Sequence, residues 1–299
     1  MNRGPISGVT RVLGVIGDPV EHSLSPLLHN FVLDKLNLDY RYLPFHVRAD
    51  QAGSVGEAMR TLGLAGLNVT IPHKETLYGQ VEVLSDEADA VGAVNTVGWD
   101  DTGRLAGHNT DVAGFEKSLE IRGLLSRLEG ANTVVLGAGG AARAVLYAMA
   151  RNGVSRVSIV NRTQSRAEDL AGWFSYRFPS ITLEVVPVGE TRDLANTLAD
   201  TSVTVNVTPR GMAPRVGESP LPDGVLPPEG SVVYDTIYTP ARTRLLECAE
   251  QAGCETVNGL DMLIIQGMES LEWWLGRKVG WQGMLDELRR LLNESLNQQ

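Results

Sequence analysis

The chain has 299 residues, of which 43% are hydrophobic, and this length and composition are typical of about two globular domains. Its 36 acidic and 26 basic residues give a formal net charge of −10, which argues against a general nucleic-acid-binding surface but allows a local basic pocket. No apolar run approaches the ~18 residues of a membrane span, so we expect a cytoplasmic protein that binds neither membranes nor nucleic acid.

The first part of the chain alternates predicted strands and helices. These lie at 12–16, 27–36, 40–47 and 50–62. Between the first strand and the first helix, Ser23 and Ser25 share one loop before Pro26. Ser25 alone could be a helix cap. Two hydroxyls at the carboxyl end of a strand could instead hold a polyol or a carboxylate.

A third strand begins at Leu67 and is halted by Pro72. Four polar residues lie near its end: Asn68, Thr70, His73 and Lys74. Ligands of α/β sheets collect at this edge, which makes these residues candidates for a site. A lysine is more often a solvated surface charge, and His73 could equally begin a helix, so the structural alternative stays open for both.

Another short strand, at 93–97, contains Asn95. The segment Asn109-Thr110-Asp111 then precedes a predicted helix at 112–125. As a local feature, Asp111 would be the N-cap of that helix. Alternatively, Asp111 would belong to a ligand site together with the polar residues that follow the third strand.

Residues 133–144 predict a strand, a tight turn and a helix that continues over 144–151. Gly137 would give the turn, Gly139 would let the backbone approach a phosphate, and Ala142 would let helix and strand pack, as in a GxGxxA dinucleotide fingerprint. Amide groups at the helix start would bind a pyrophosphate. An ordinary βα turn is the alternative. The candidate phosphate loop is Gly137, Ala138, Gly139, Gly140 and Ala141.

The strand at 157–160 ends at Asn161, 24 positions after Gly137. Dinucleotide-binding folds keep a carboxylate near this spacing for the ribose hydroxyls, and it is absent here. The polar residues present are Asn161, Arg162, Thr163 and Arg166. Two guanidinium groups suit a ribose phosphate, so the sequence favours NADP over NAD.

The rest of the chain continues the same pattern. Strands are expected at 182–187, 203–207, 231–235 and 256–257, and helices at 243–252, 260–275 and 281–292. A proline-rich loop covers 214–228. Cys248 and Cys254 lack CxxC spacing and nearby histidines, so we expect reduced core thiols, no disulfide and no metal site.

An ordered set of motifs closely resembles the shikimate dehydrogenase family and covers nearly the whole chain. The motifs are Ser23-Leu24-Ser25-Pro26, Asn68-Val69-Thr70-Ile71-Pro72-His73-Lys74, Gly92-Ala93-Val94-Asn95-Thr96, Gly107-His108-Asn109-Thr110-Asp111, Gly137-Ala138-Gly139-Gly140-Ala141, Asn161-Arg162-Thr163, Asp235-Thr236-Ile237-Tyr238-Thr239-Pro240 and Gly259-Leu260-Asp261-Met262-Leu263. The resemblance implies an enzyme that interconverts 3-dehydroshikimate plus NADPH and shikimate plus NADP⁺, on the route to chorismate and the aromatic amino acids.

The resemblance also implies the architecture. Two three-layer α/β/α domains would flank a cleft, and the second would be a Rossmann-type dinucleotide-binding domain. Residues 1–111 plus 258–299 would form the discontinuous substrate-binding and catalytic domain, with the NADP-binding domain at 112–257 inserted between them. The protein would be a monomer or a homodimer.

By the same resemblance, Lys74 and Asp111 would be the catalytic pair and would also contact the substrate. Ser23 and Ser25 would hold the substrate carboxylate, and Tyr238 would close over the substrate. The residues expected to bind or flank the ring hydroxyls are Thr70, Asn95 and Gln266. Further cofactor contacts are expected from Thr208, Met212, Ile237, Gly259 and Met262.

Two other functions fit parts of the sequence. A quinate or dual quinate/shikimate dehydrogenase, often NAD-linked, shares most of the motifs, but the paired serines and the missing ribose carboxylate favour shikimate and NADP. A non-catalytic dinucleotide sensor would keep the fold and lose the chemistry. The intact Lys74 and Asp111 count against a sensor, which needs no proton-transfer pair.

Overall fold

The computed structural model describes residues 6–187 and 191–296. They form two compact units, the first from the described parts of 1–114 and 263–299 and the second from the described parts of 115–262. Each unit contains a six-stranded sheet among these residues, and helices follow most of the strands along the chain. The expected two-domain α/β fold is therefore confirmed.

The elements that begin before residue 115 are β1 (Arg11–Gly17), α1 (Ser25–Lys35), β2 (Tyr40–His46), α2 (Val55–Leu62), β3 (Gly66–Val69), α3 (Lys74–Tyr78), β4 (Val83–Leu84), α4 (Asp86–Val91), β5 (Thr96–Trp99), β6 (Leu105–His108) and α5 (Asp111–Glu120). The later elements are β7 (Asn132–Leu136), α6 (Gly140–Arg151), β8 (Arg156–Asn161), α7 (Gln164–Arg177), β9 (Thr182–Pro187), α8 (Thr191–Ala199), β10 (Val203–Asn206), β11 (Val232–Asp235), α9 (Arg244–Gln251), β12 (Glu255–Asn258), α10 (Leu260–Leu275) and α11 (Leu285–Leu296). Short 3-10 helices cover Ala49–Ser54, Leu125–Leu128 and Trp281–Met284.

The sheet of the first unit has the order β2-β1-β3-β5-β6-β4 and mixed pairing. β1 is parallel to β2 and β3, whereas β5 is antiparallel to β3 and to β6. The end of β3, the start of β5 and the end of β6 therefore lie at one edge. This edge receives Lys74, Asn95 and Asp111, which are far apart in sequence.

The loop after β1 reaches the same edge, because β1 and β3 run in the same direction. The amide of Asp18 donates to the carbonyl oxygen of Ile71 at 3.0 Å, which ties this loop to the turn after β3. Beneath the edge, the core includes the fully buried Met59, Leu77 and Val97. The turn that leads into Lys74, the first residue of α3, is thus attached to a packed sheet.

All strands of the second unit are parallel, in the order β12-β11-β10-β7-β8-β9. Read from β9, this is the strand order of a doubly wound dinucleotide-binding sheet, whose direction of progression reverses between β7 and β10. Ligands bind outside the carboxyl ends of strands at such a reversal. The loop after β7, with Gly137, lies at this position.

Several local predictions are wrong. Asp111 is the first residue of α5, not the N-cap before it, and α5 ends at Glu120 although the predicted helix extends to 125. Gly123 adopts a φ of +71° and its amide bonds to the carbonyl of Glu120, which terminates the helix. Ser25 is likewise inside α1, where Leu24 is the N-cap, so it does not cap that helix.

The bounds of several other helices and strands differ from those predicted from the sequence. The predicted helix at 50–62 is a 3-10 helix followed by α2, and β5 covers Thr96–Trp99 instead of 93–97. α6 begins directly after the glycine turn, as expected. The elements β4, β6, α3, α4, α7 and α8 lie outside the predicted set. Cys254 is buried as expected, whereas Cys248 is half-buried, and both are free thiols. Among the described residues, no helix is long and apolar enough to cross a membrane.

Candidate active site

Lys74 and Asp111 form a close ion pair at the sheet edge of the first unit. The ammonium of Lys74 donates to Oδ2 of Asp111 at 2.5 Å, and the two side chains are only 13% and 7% exposed. Water screens such a pair less than it screens a surface salt bridge. The pair therefore combines a proton donor and a proton acceptor in a site that keeps limited access to solvent.

The turn before Lys74 is fixed from inside the unit. The amide of His73 donates to the carbonyl of Thr70 at 2.9 Å. The buried ring of His73 places Nε2 2.6 Å from the carbonyl oxygen of Val47. His73 therefore anchors the turn, which supports a structural role for this residue over a role in the site.

Asn95 holds the other oxygen of Asp111. Its Nδ2 donates to Oδ1 of Asp111 at 2.9 Å and lies 3.4 Å from Oε1 of Gln266, on α10. Its Oδ1 accepts from the amide of Thr110 at 2.8 Å. The structure thus brings together four predicted site residues: Lys74, Asp111, Asn95 and Gln266.

Three other predicted substrate residues make no hydrogen bond to this group within the described chain. Thr70 is half-buried directly after β3, and its amide donates to the carbonyl of Ile16 at 2.9 Å. The hydroxyl of Ser23 accepts from the amide of Ser25 at 3.3 Å and shapes their loop. Ser25 is only 5% exposed. These residues therefore occupy the loops of the same sheet edge without joining the ion pair.

The glycine loop of the second unit has the geometry of a phosphate-binding turn. Gly137 has a φ of +118°, and a Cβ there would lie 2.9 Å from a methyl of Val207 and 3.0 Å from that of Thr208. At Gly139, the N-cap of α6, no described atom lies within 4 Å of where a Cβ would be. No side chain of the described residues caps α6. Its free amide groups and this open approach suit a pyrophosphate, which fits the expected cofactor.

The predicted phosphate-binding arginines lie beyond the end of β8. Arg162 and Arg166 are exposed, and neither forms an ion pair with a described residue. Asn161 donates from Nδ2 to the carbonyl of Thr163 at 2.8 Å and so fixes the turn between them. Within the described part of the chain, two exposed guanidinium groups of this kind suit an anionic ligand.

Asp235, to which the sequence assigned no site role, organises two of the predicted cofactor segments. Its buried carboxylate accepts from Nδ2 of Asn206 at 2.9 Å, from the amide of Ile237 at 3.1 Å and from Thr243 at 2.7 Å. Asn206 in turn accepts from the hydroxyl of Thr208 at 2.7 Å. Burial raises the pKa of Asp235 to about 6, and the three hydrogen bonds act in the opposite direction. A carboxylate as the last residue of the otherwise apolar strand β11 was the sequence signal that could have revealed it.

The remaining predicted residues of the second unit lie on its loops and at the start of α10. Met212 is 40% exposed, Tyr238 is half-buried and Met262 is buried. The backbone of Gly259 packs directly against that of Thr236, with no room for a side chain. A larger residue at position 259 would displace the segment that follows β11.

Comparisons with known proteins agree over nearly the full length. Residues 15–97 match the model of the shikimate dehydrogenase substrate binding domain, and residues 120–205 match that of shikimate / quinate 5-dehydrogenase. The shikimate dehydrogenase (NADP(+)) of Symbiobacterium thermophilum is 44% identical over 287 residues, which are 96% of this chain and 95% of that protein.

Two solved structures are also similar. Shikimate 5-dehydrogenase from Listeria monocytogenes, in complex with shikimate and NAD, has a TM-score of 0.85 and 35% identity, and the match covers 97% of this chain and 99% of that one. Shikimate 5-dehydrogenase from Thermus thermophilus, in complex with NADP(H) and shikimate, has a TM-score of 0.79 and 36% identity, with 94% and 99% covered.

Proposed function

The chain belongs to the shikimate dehydrogenase family, and we propose that it catalyses the reversible reduction of 3-dehydroshikimate to shikimate with NADP(H). The family resemblance of its motifs is thereby confirmed. Its reaction belongs to the route to chorismate and the aromatic amino acids. The observation that carries the proposal is the buried Lys74–Asp111 pair, which is the proton-transfer group that this chemistry needs.

Oxidation of a secondary alcohol removes a hydride and a proton. NADP⁺ would supply the hydride acceptor when bound, which leaves the proton to a side chain of the protein. Lys74 is suited to exchange this proton with the substrate oxygen and, as an ammonium, to stabilise negative charge that develops on it during reduction. Asp111 orients the amine through the 2.5 Å hydrogen bond, and Asn95 holds Asp111 from the other side.

The substrate is held by the loops of the same sheet edge. Ser23 and Ser25 bind its carboxylate, since the two hydroxyls share one loop that is tied to the turn before Lys74. Thr70, Asn95 and Gln266 bind the ring hydroxyls. The contacts of Asn95 with Asp111 and with Gln266 support this role for Asn95 and Gln266. Tyr238 closes over the substrate.

The cofactor is held by the second unit. The loop 137–141 and the first amides of α6 bind the pyrophosphate, while Arg162 and Arg166, with Asn161 and Thr163, bind the ribose phosphate. The unpaired, exposed state of both arginines among the described residues supports this assignment. The remaining contacts come from Thr208, Met212, Ile237, Gly259 and Met262.

The domain assignment follows from these roles. Residues 1–111 plus 258–299 form the substrate and catalytic domain, and residues 112–257 form the cofactor domain. The two compact units, which divide at 114/115 and 262/263, support this assignment. As a biosynthetic enzyme that uses NADP(H), the protein works in the cytoplasm, as a monomer or a homodimer, and no nucleic acid takes part.

The test is a comparison of substrates and cofactors in one optical assay. NADPH formation is followed with shikimate or quinate as the alcohol, and NADP⁺ is then replaced by NAD⁺. We expect the highest kcat/KM with shikimate and NADP⁺. A preference for quinate and NAD⁺ would favour the quinate dehydrogenase, and tight NADPH binding without turnover of either alcohol would favour the sensor.

A further inference from the structure

A hydrogen-bond network of buried side chains lies behind the catalytic pair in the first unit. It consists of Tyr42, Asn68, Thr96, Thr110 and Ser270, and each of these residues is at most 6% exposed. They come from β2, β3, β5, the segment before α5, and α10. Their contacts lead from a tyrosine inside the unit to Asn95, and through it to Asp111.

The network begins at a fixed donor. The hydroxyl of Tyr42 donates to Oδ1 of Asn68 at 2.7 Å, and the Tyr42 ring stacks on His29 with centroids 4.1 Å apart. Burial raises the pKa of the Tyr42 hydroxyl well above its ordinary value, so the group keeps its proton. A carboxamide has one acceptor side and one donor side. Tyr42 therefore turns Nδ2 of Asn68 toward the rest of the network.

The next step passes through two hydroxyls. Nδ2 of Asn68 donates to Oγ of Ser270 at 2.9 Å, and it lies 3.2 Å from both Oγ1 of Thr96 and the carbonyl oxygen of Asn95. The two hydroxyl oxygens lie 2.7 Å apart. A carboxamide nitrogen can only donate, so a hydroxyl that accepts from it directs its own proton elsewhere. The hydroxyl of Ser270 donates to the carbonyl of Gln266 at 2.9 Å. Thr96 donates its proton to Oδ1 of Asn95 at 2.9 Å.

The last contacts of the network fix the orientation of the Asn95 carboxamide. Its Oδ1 accepts from the Thr96 hydroxyl and from the amide of Thr110, so its Nδ2 faces Oδ1 of Asp111. Asp111 then has its second oxygen directed at Lys74. The hydroxyl of Thr110 also donates to Oδ1 of Asn95, at 3.2 Å, so a loss of the Thr96 hydroxyl would remove one of three donors, and the shorter of the two hydroxyl contacts.

We propose that Thr96, supported by Asn68, Ser270 and Tyr42, is a positioning residue that keeps the Asn95 carboxamide aimed at Asp111 and so aligns the Lys74–Asp111 pair. The inference rests on the proposed function and deepens it. It extends the catalytic machinery to a hydroxyl that contacts neither Lys74 nor Asp111 and acts through Asn95.

The test compares two substitutions at one position. Thr96→Val keeps the shape and removes the hydroxyl, and Thr96→Ser keeps the hydroxyl. We expect Thr96→Val to lower kcat about tenfold, roughly the effect of one hydrogen bond, without changing the KM for NADP⁺. Thr96→Ser should restore most of kcat.

Thr204→Val is the matched control. Thr204 is also fully buried on a central strand, but it lies in the second unit and its hydroxyl has no partner among the described residues. Its substitution should leave kcat unchanged. An equal fall in kcat for both valine variants, or a serine variant as slow as Thr96→Val, would overturn the proposal.

A double-mutant cycle separates positioning from general stability. In an Asp111→Asn background, Thr96→Val should lower kcat no further, because its effect passes through Asp111. The same fractional loss in both backgrounds would overturn the proposal. If Thr96→Val fails to fold, Ser270→Ala takes its place in the cycle. We expect Ser270→Ala to lower kcat several-fold in the wild-type background and to lower it no further in the Asp111→Asn background.

Failure of this inference is distinguishable from failure of the proposed function. If Asp111→Asn keeps the wild-type kcat, the catalytic pair itself is wrong and the inference falls with it. If Asp111→Asn is slow while Thr96→Val keeps the wild-type kcat, only the positioning role of Thr96 is overturned.

Discussion

Replacement of Lys74 by methionine tests the catalytic pair most directly, because methionine keeps most of the side-chain length and removes the amine. Loss of a proton-transfer group lowers kcat by roughly 10²–10⁴, which corresponds to about 3–5 kcal/mol of activation free energy. NADPH bound to the second unit should be little affected. We therefore expect a large fall in kcat and an almost unchanged Kd for NADPH.

The structure also predicts a change in stability. Lys74 is 13% exposed and Asp111 is 7% exposed, so Lys74→Met leaves a buried carboxylate that keeps its hydrogen bond from Asn95 but loses its counter-charge. Removal of one member of a buried ion pair costs roughly 3–5 kcal/mol of unfolding free energy. The double variant Lys74→Met/Asp111→Asn removes the unpaired charge and should be more stable than Lys74→Met alone.

The assays are NADPH absorbance for kcat, a fluorescence titration for NADPH binding, and urea unfolding for stability. The kcat of the double variant should be close to that of the slower single variant, because the two residues act as a unit. Lys35→Met is the matched control, since Lys35 forms an exposed ion pair with Glu287. A Lys74→Met enzyme within a few-fold of the wild-type kcat would refute the reasoning, and multiplicative losses would show that the two residues act separately.

Three further predictions concern the cofactor, the substrate and pH. Arg162→Ala should weaken NADP⁺ binding by roughly 1.5–3 kcal/mol and leave NAD⁺ binding nearly unchanged. The control is Arg156→Ala, at the opposite end of β8. Equal losses for the two cofactors in Arg162→Ala would contradict the assignment. Ser23→Ala with Ser25→Ala should raise the KM for shikimate with no change in NADP⁺ binding, and a normal KM would remove both serines from the site. The pKa of Asp235 rises from 3.8 to about 6 on folding, so the native state binds this proton more tightly than the unfolded state. Its contribution to the free energy of unfolding is fully present below pH ~4. That contribution falls by about 3 kcal/mol as the pH rises through 6. Unfolding titrations of the wild type and Asp235→Asn across this range should differ in slope, and parallel curves would contradict the assignment.

Much of this protein is visible in local sequence. The step from an apolar strand through Gly137 to a helix is specified within a dozen residues, because turn, amide exposure and helix start are all local properties. The cofactor preference also follows from local chemistry, since Arg162 and Arg166 follow a strand end that lacks a carboxylate. The family resemblance rests on the order of such motifs along the chain. The roles of the individual site residues remain predictions.

The tertiary structure alone decided how distant residues meet. Local patterns left Lys74 as a surface charge or a site residue and Asp111 as a helix cap or a site residue, and the sheet edge that joins β3, β5 and β6 brings them within 2.5 Å. Thr96 and Ser270 are 174 positions apart and hydrogen-bond because α10 returns to the first unit. Pairing between strands and the return of a helix are long-range events, set by burial of whole faces, and no window of sequence contains both partners.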